Sequence, residues 1–274
     1  MKDDLRGCAE KLGGEVRSEG FGASLAARFV VIWTLITRIP LPQKFWPTVV
    51  PPGDRCLAIM PLAGGVLGLL TGLVVTLLHF IGLGANASAW LGAAFYALSG
   101  WVLHLDGWGD LWDGVGSGRH GEELRAVMKD SRLGSFGAVG LIIAFGLWTS
   151  LVSSLEEDDA LTAIVVAGAS GRFASCAAAF FGVYPWESGM AKGWVDGFTE
   201  YDLFTAGACL LLFAPLAPVS WLFSVLLSSL VGFLAAKRMN TLLGGVNGDV
   251  LGACAVAGEI CSLAVFALWA SNRN

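Results

Sequence analysis

Long apolar stretches separated by short polar connections set the pattern of this chain. About seven of them, near 57–83, 88–105, 133–153, 160–182, 203–219, 220–235 and 250–270, approach the ~20 helical residues needed to cross a hydrocarbon core. The stretch 21–39 differs: it is less apolar, carries Arg28 and Arg38, and runs into Ile39-Pro40-Leu41-Pro42. That pattern predicts an N-terminal interfacial or re-entrant helix. Pro215 and Pro218 mark the turn of a helical hairpin between two spans. The expected fold is all-α, a polytopic integral membrane helical bundle. Residues 1–20 mix both charge signs and read as a cytoplasmic lead-in, and 21–274 as a single transmembrane domain without an internal repeat.

Orientation follows from the basic residues. Lys and Arg gather in 1–56, 106–132, 184–202 and 236–249, whereas the connections near 84–87, 154–159 and 215–219 contain none. Alternating these segments across the spans gives a cytoplasmic N-terminus and an outer C-terminus. Composition agrees, because charged residues make up only 14% of the chain and hydrophobic ones 55%, against about 25% charged in a soluble domain. With 22 acids, 17 bases and a net charge of −5, nothing calls for nucleic acid, and membrane lipid is the expected surrounding. The 37 glycines, about twice the usual ~7% share, suggest close helix packing in lipid. The six cysteines form no Cys-x-x-Cys pair and read as structural and reduced.

The chemistry concentrates where the second span meets the cytoplasm, in His104-Leu105-Asp106-Gly107-Trp108-Gly109-Asp110-Leu111-Trp112-Asp113-Gly114. Asp106, Asp110 and Asp113 are spaced i, i+4, i+7, on one helix face within about 60° of arc. Carboxylates stacked against apolar flanks repel one another, and a divalent cation relieves that repulsion. Oxygen ligands without His or Cys suit Mg²⁺, with Mn²⁺ as an alternative. A solvated acidic loop is the plainer reading, but the flanking Trp and Leu residues speak against it.

Three further segments supply candidates. In Met128-Lys129-Asp130-Ser131-Arg132, Lys129 and Arg132 can hold phosphate oxygens, and Asp130 offers another carboxylate. Positive-inside anchoring is the alternative there. Arg172, in Ser170-Gly171-Arg172, sits inside the fourth span and needs a carboxylate or a bound anion; a phosphate or an aspartate is the expected partner. Asn247 and Asp249 open the last span, where Asn247 can cap the helix and Asp249 can complete a metal site or pair within the bundle. His104 can orient a carboxylate or act as a base, while His79 and His120 read as packing and solvated residues.

Taken in order, these segments resemble the adenosylcobinamide-GDP ribazoletransferase family, the cobalamin synthases that close the nucleotide loop of vitamin B12. The resemblance rests on Thr37-Arg38-Ile39-Pro40, Pro61-Leu62-Ala63-Gly64-Gly65, the His-Leu-Asp-Gly aspartate segment, Met-Lys-Asp-Ser-Arg-x-Gly-x-Phe-Gly, Ser-Gly-Arg and Gly-Asp-x-Leu-Gly-Ala. It covers nearly the whole chain beyond residue 25. The family's last span carries two glutamates three apart; here Val256 takes the first place and Glu259 the second, and Trp108 and Trp112 replace smaller residues.

The resemblance implies a Mg-dependent transferase in the bacterial inner membrane with its active site on the cytoplasmic side. Its substrates would be adenosylcobinamide-GDP and α-ribazole or its 5′-phosphate, with GMP released; a homo-oligomer stays open. The implied metal ligands are Asp106, Asp110, Asp113 and Asp130. Asp113 or Asp130 would be the base, with His104, Lys129 and Arg132 beside it. Arg38, Ser131, Arg172, Asn247 and Asp249 would contact substrate. Two alternatives compete: a CDP-alcohol phosphotransferase, though no Asp-Gly-x-x-Ala-Arg run occurs, and a divalent-cation transporter, which should carry its acids near mid-membrane.

Overall fold

The computed structural model describes residues 21–189 and 191–273, so the lead-in expected over 1–20 lies outside the described residues. All regular structure among those residues is helical. Helix α1 (Phe21–Ile36) is followed by a short α2 (Gly53–Leu57) leading into α3 (Met60–Phe80). Next, α4 (Ala85–Tyr96), a π-helical turn at Ala97–Trp101 and α5 (Val102–Gly116) form one bent rod. Then come α6 (Gly121–Met128), α7 (Ser135–Ser153) and α8 (Glu157–Phe181). The chain continues through α9 (Lys192–Val195), α10 (Glu200–Leu211), α11 (Pro218–Leu242) and α12 (Gly248–Ser271).

Among the described residues five helical stretches are long and apolar enough to cross a membrane: Gly53–Phe80, which takes in α2 and α3, Ser135–Ser153, Glu157–Phe181, Pro218–Leu242 and Gly248–Ser271. About seven were expected, and the difference has two physical sources. The 203–219 stretch stops being helical at Leu211, leaving a 12-residue α10 of about 18 Å. Pro215 and Pro218 break it, Pro218 opens α11, and the Trp221 indole donates to the Leu210 carbonyl at 3.0 Å across the turn. The 88–105 stretch is divided at the π-helical turn, and its continuation carries three aspartates. The N-terminal α1, 16 residues long, is about 24 Å; it buries Ile32, Trp33 and Ile36 against the bundle.

Helix α8 runs through the centre, packed by α3, α11 and α12. Glycines make this possible. A Cβ on Gly64 would lie 2.2 Å from the Gly168 carbonyl, and one on Gly168 2.5 Å from the Gly64 carbonyl, so α3 and α8 touch backbone to backbone. Outward faces of α7 and α11 expose Ile142, Leu147, Phe223, Leu226 and Leu230, as a lipid-facing surface requires. One end of the bundle gathers the C-terminal half of α5 and the N-termini of α7 and α12. Ion pairs His79–Glu157 (2.8 Å) and Arg273–Asp159 mark the other.

Candidate active site

The site begins with a helix start. The Asn247 side chain accepts the Val250 N–H at 3.0 Å, capping α12 as its sequence position predicts. Its amide also donates to the Asp249 carboxylate at 2.8 Å and so orients it. Gly107 lets α5 lie directly on this turn, since a Cβ there would sit 2.6 Å from the Asp249 carbonyl. Gly252 does the same one turn on, against the backbone of His104. These contacts carry Asp249 beside Asp106 and Asp110.

The three carboxylates line one open cleft of about 670 Å³ with Lys129, Asp130, Ser131 and Arg132. Its remaining wall is apolar: Val102, Leu105, Leu133, Leu141 and Phe145. Partial burial, then the charges of Asp249, Asp106 and Asp113, push the Asp110 carboxyl up to about 7. Such a cluster attracts cations strongly.

Asp113 is elsewhere. Its two oxygens accept the N–H groups of Gly134 and Gly137, each at 2.8 Å, so it caps α7 from outside that helix and does not line the cleft. A Cβ on Gly134 or Gly137 would strike this carboxylate. Each oxygen keeps a lone pair, but in this structure Asp113 serves α7 as a cap and stands outside the cleft lining. Among the described residues no three His, Cys, Asp or Glu side chains converge tightly enough to hold a metal ion by themselves.

Asp130 stands on the rim in a fork with Arg132 (Nη2 to Oδ2 2.7 Å, Nε to Oδ1 3.0 Å) and accepts the Arg132 N–H at 3.1 Å. These bonds hold its carboxyl well below the usual range, which disfavours the base role. Arg38 is exposed and does not line the cleft; its N–H donates to the Ser99 carbonyl at 2.6 Å. His104 is buried against Gly252, with Nδ1 lacking a partner.

Arg172 also departs from expectation. It is fully buried at the bundle centre, paired with Glu259 and bonded to the Tyr96 hydroxyl, which donates to Glu259 at 2.7 Å. Its partner is therefore neither Asp249 nor a motif aspartate. Two features had no signal in sequence spacing. One is this use of Tyr96 and Glu259. The other is a strap at the site end, where the Trp186 indole donates to Glu122 at 3.1 Å and Arg125 stacks on its ring at 4.5 Å. The strap joins the loop after α8 to α6, the helix before Lys129.

The fold and site define a class: a multi-pass helical membrane protein with a carboxylate-lined cleft at one end of its bundle. A family profile described as Cobalamin-5-phosphate synthase matches residues 28–267, and the chain belongs to that family. Similar proteins include an "Adenosylcobinamide-GDP ribazoletransferase" of Bradyrhizobium diazoefficiens, 34% identical over 228 residues, covering 80% of this chain and 85% of the relative. One of Brucella anthropi carrying the same name is 29% identical over 272 residues, covering 92% and 95%. No solved structure matches the chain.

Proposed function

We propose that this chain joins adenosylcobinamide-GDP to α-ribazole or its 5′-phosphate, releasing GMP. Family membership and the names of its relatives support the reading. The observation that carries it is the cleft itself, where Asp106, Asp110 and Asp249 face Lys129, Ser131 and Arg132. That charge distribution suits a diphosphate held between a bound cation and basic side chains. In the reaction, a ribazole hydroxyl oxygen bonds to the phosphorus that bears cobinamide. The bond from that phosphorus to the bridging oxygen breaks, and GMP departs.

The donor set fits Mg²⁺, or Mn²⁺ in its place, because these ions take one or two carboxylates together with substrate phosphates and need no complete protein cage. Asp106 and Asp110 would hold the ion, which when bound neutralises and polarises the diphosphate oxygens. Lys129 and Arg132 hold phosphate oxygens, Arg132 by exchanging Asp130 for the substrate. Asp249, steered by Asn247, accepts the proton of the attacking hydroxyl. Asp249 is chosen here over Asp113, which caps α7 outside the cleft lining, and over Asp130, which stands on the rim.

The distribution of Lys and Arg supports a bacterial inner-membrane location with the cleft on the cytoplasmic side. A cation transporter is disfavoured because the carboxylates sit at the bundle end. The deciding experiment incubates purified protein in lipid or detergent with adenosylcobinamide-GDP, α-ribazole and Mg²⁺, and quantifies GMP. Stoichiometric GMP and cobalamin are expected. No GMP from folded protein, or divalent-cation flux in proteoliposomes instead, would overturn the proposal.

A further inference from the structure

The turn that presents Asp249 and the helix that leads into Lys129 are distant in sequence, yet one loop is fastened to both. This loop leaves α8 and occupies residues 182–189. At one end the Val183 carbonyl accepts the Val246 N–H at 2.8 Å, and the Asn240 side chain bonds the Phe181 carbonyl and the Val183 N–H, each at 3.3 Å. Two glycines permit the approach: a Cβ on Gly182 would lie 2.4 Å from Val246 Cγ2, and one on Gly245 2.3 Å from the Pro185 ring. The buried Val246 immediately precedes Asn247, so this end is anchored on the cap of α12. At the other end the Trp186 indole bonds Glu122 and carries Arg125 on its face, and Arg125 pairs with Glu122 at 3.2 Å. Tyr184 braces the indole edge to face at 5.2 Å, and the Lys192 ammonium donates to the Trp186 carbonyl at 3.4 Å.

We propose that Trp186 is a positioning residue: through Glu122 and Arg125 it holds α6, and with it Lys129, in register with Asp249. This role rests on the reaction proposed above, in which Lys129 holds a diphosphate oxygen and Asp249 takes a proton. Helix α6 has eight residues and buries Leu124 and Met128, which pack on α5 at Gly114. So short a helix takes its place from tertiary contacts and not from its own propensity. Its polar face is the one clasped by Trp186. The Lys129 N–H bonds the Arg125 carbonyl at 3.1 Å, so the residue stacked on the indole stands one helical turn before Lys129. A tryptophan suits this task because a buried indole must satisfy its single N–H donor. Its bond to a carboxylate is charge-assisted and directional, so the clasp fixes a distance where an apolar contact would only fill space.

The test is a double-mutant cycle on the full-length protein, read by the Kd for adenosylcobinamide-GDP with Mg²⁺, by kcat and by the thermal midpoint. Trp186→Phe keeps a ring for Arg125 and Tyr184 but loses the N–H, whereas Glu122→Gln keeps an acceptor for the indole. We expect Trp186→Phe to weaken that Kd about fivefold and lower kcat about tenfold, with the midpoint nearly unchanged, as misplacement of a binding group does. Glu122→Gln should stay within about twofold of wild type in both readouts. Lys129→Ala should weaken the Kd as well, and adding Trp186→Phe to it should cause no further loss, because both changes act through one ammonium group. If Trp186→Phe does not fold, Glu122→Ala removes the same bond from the exposed partner and takes its place in the cycle. Additive losses, losses that follow the thermal midpoint across the variants, or a wild-type Kd in Lys129→Ala would overturn the proposal. Wild-type turnover with additive losses sinks the role of Trp186 alone, whereas no GMP from folded wild-type protein sinks the reaction itself.

Discussion

Arg172 of α8 and Glu259 of α12 form an ion pair at the centre of the bundle, both side chains essentially without solvent exposure. Tyr96 of α4 bonds to both, and Gly64 of α3 leaves room for the arginine stem. Four helices thus meet on one charged contact. Breaking a buried pair strands the remaining charge and costs about 3–5 kcal/mol, whereas replacing both partners by apolar residues is often neutral. Arg172→Ala and Glu259→Ala should each lower the thermal midpoint in detergent strongly, and Arg172→Met combined with Glu259→Leu should recover much of it. Arg172→Ala with normal stability and a selective loss of affinity for adenosylcobinamide-GDP would return this arginine to the substrate.

The aspartates of the motif should separate by phenotype. Asp113→Ala removes a cap from α7 and should cost about 0.5–2 kcal/mol of stability. Asp106→Asn and Asp110→Asn should keep or gain stability, because they relieve repulsion, yet lower kcat on the order of 10²-fold or more. Paired measurements of unfolding and GMP release distinguish the two groups. A stable Asp113→Ala variant with abolished kcat would place Asp113 among the ligands after all.

Acidity gives a third test. The Asp110 carboxyl rises from an ordinary 3.8 to about 7 in the folded metal-free protein. Its folded value exceeds its unfolded one, so its stabilising contribution is complete below about pH 4 and disappears as pH rises through 7. Metal-free protein should therefore melt lower at pH 8 than at pH 5. Mg²⁺ competes with that proton, so its protective effect should run the other way and grow with pH. Asp110→Asn should flatten both trends; a variant that keeps them would locate the titration elsewhere.

Sidedness is open to chemical labelling. Asp158 and Ser117 are exposed at opposite ends of the bundle. A cysteine at Asp158 should react with an impermeant reagent in intact cells, and one at Ser117 only after lysis. The reverse pattern would invert the orientation.

What could be read from the sequence divides along physical lines. The long apolar runs 133–153, 160–182 and 250–270 become α7, α8 and α12 because burial or lipid contact along the whole length enforces a helix. The 203–219 run misleads, since hydropathy counts Pro215 and Pro218 without registering the backbone N–H groups they lack. The carboxylates of Asp106 and Asp110 follow from helical spacing, and the Asn247 cap follows from position. By contrast, the engagement of Asp113 depends on how α7 starts after an intervening helix, and the partner of Arg172 depends on which two spans face each other. Local periodicity encodes neither.

The bond from Asp113 to the start of α7 is one of two crossings between the helices that bound the cleft. The second is the Trp108 indole, which donates to the Gly140 carbonyl at 2.8 Å. Together they act as struts, fixing the distance between α5 and α7 at two levels before any substrate arrives. Such an aperture does not widen to suit its guest. Accommodation falls to the opposite rim, where the exposed Asp130–Arg132 fork can open and close. The α5–α7 side of the cleft thus keeps a set width, while the surface side performs the fitting.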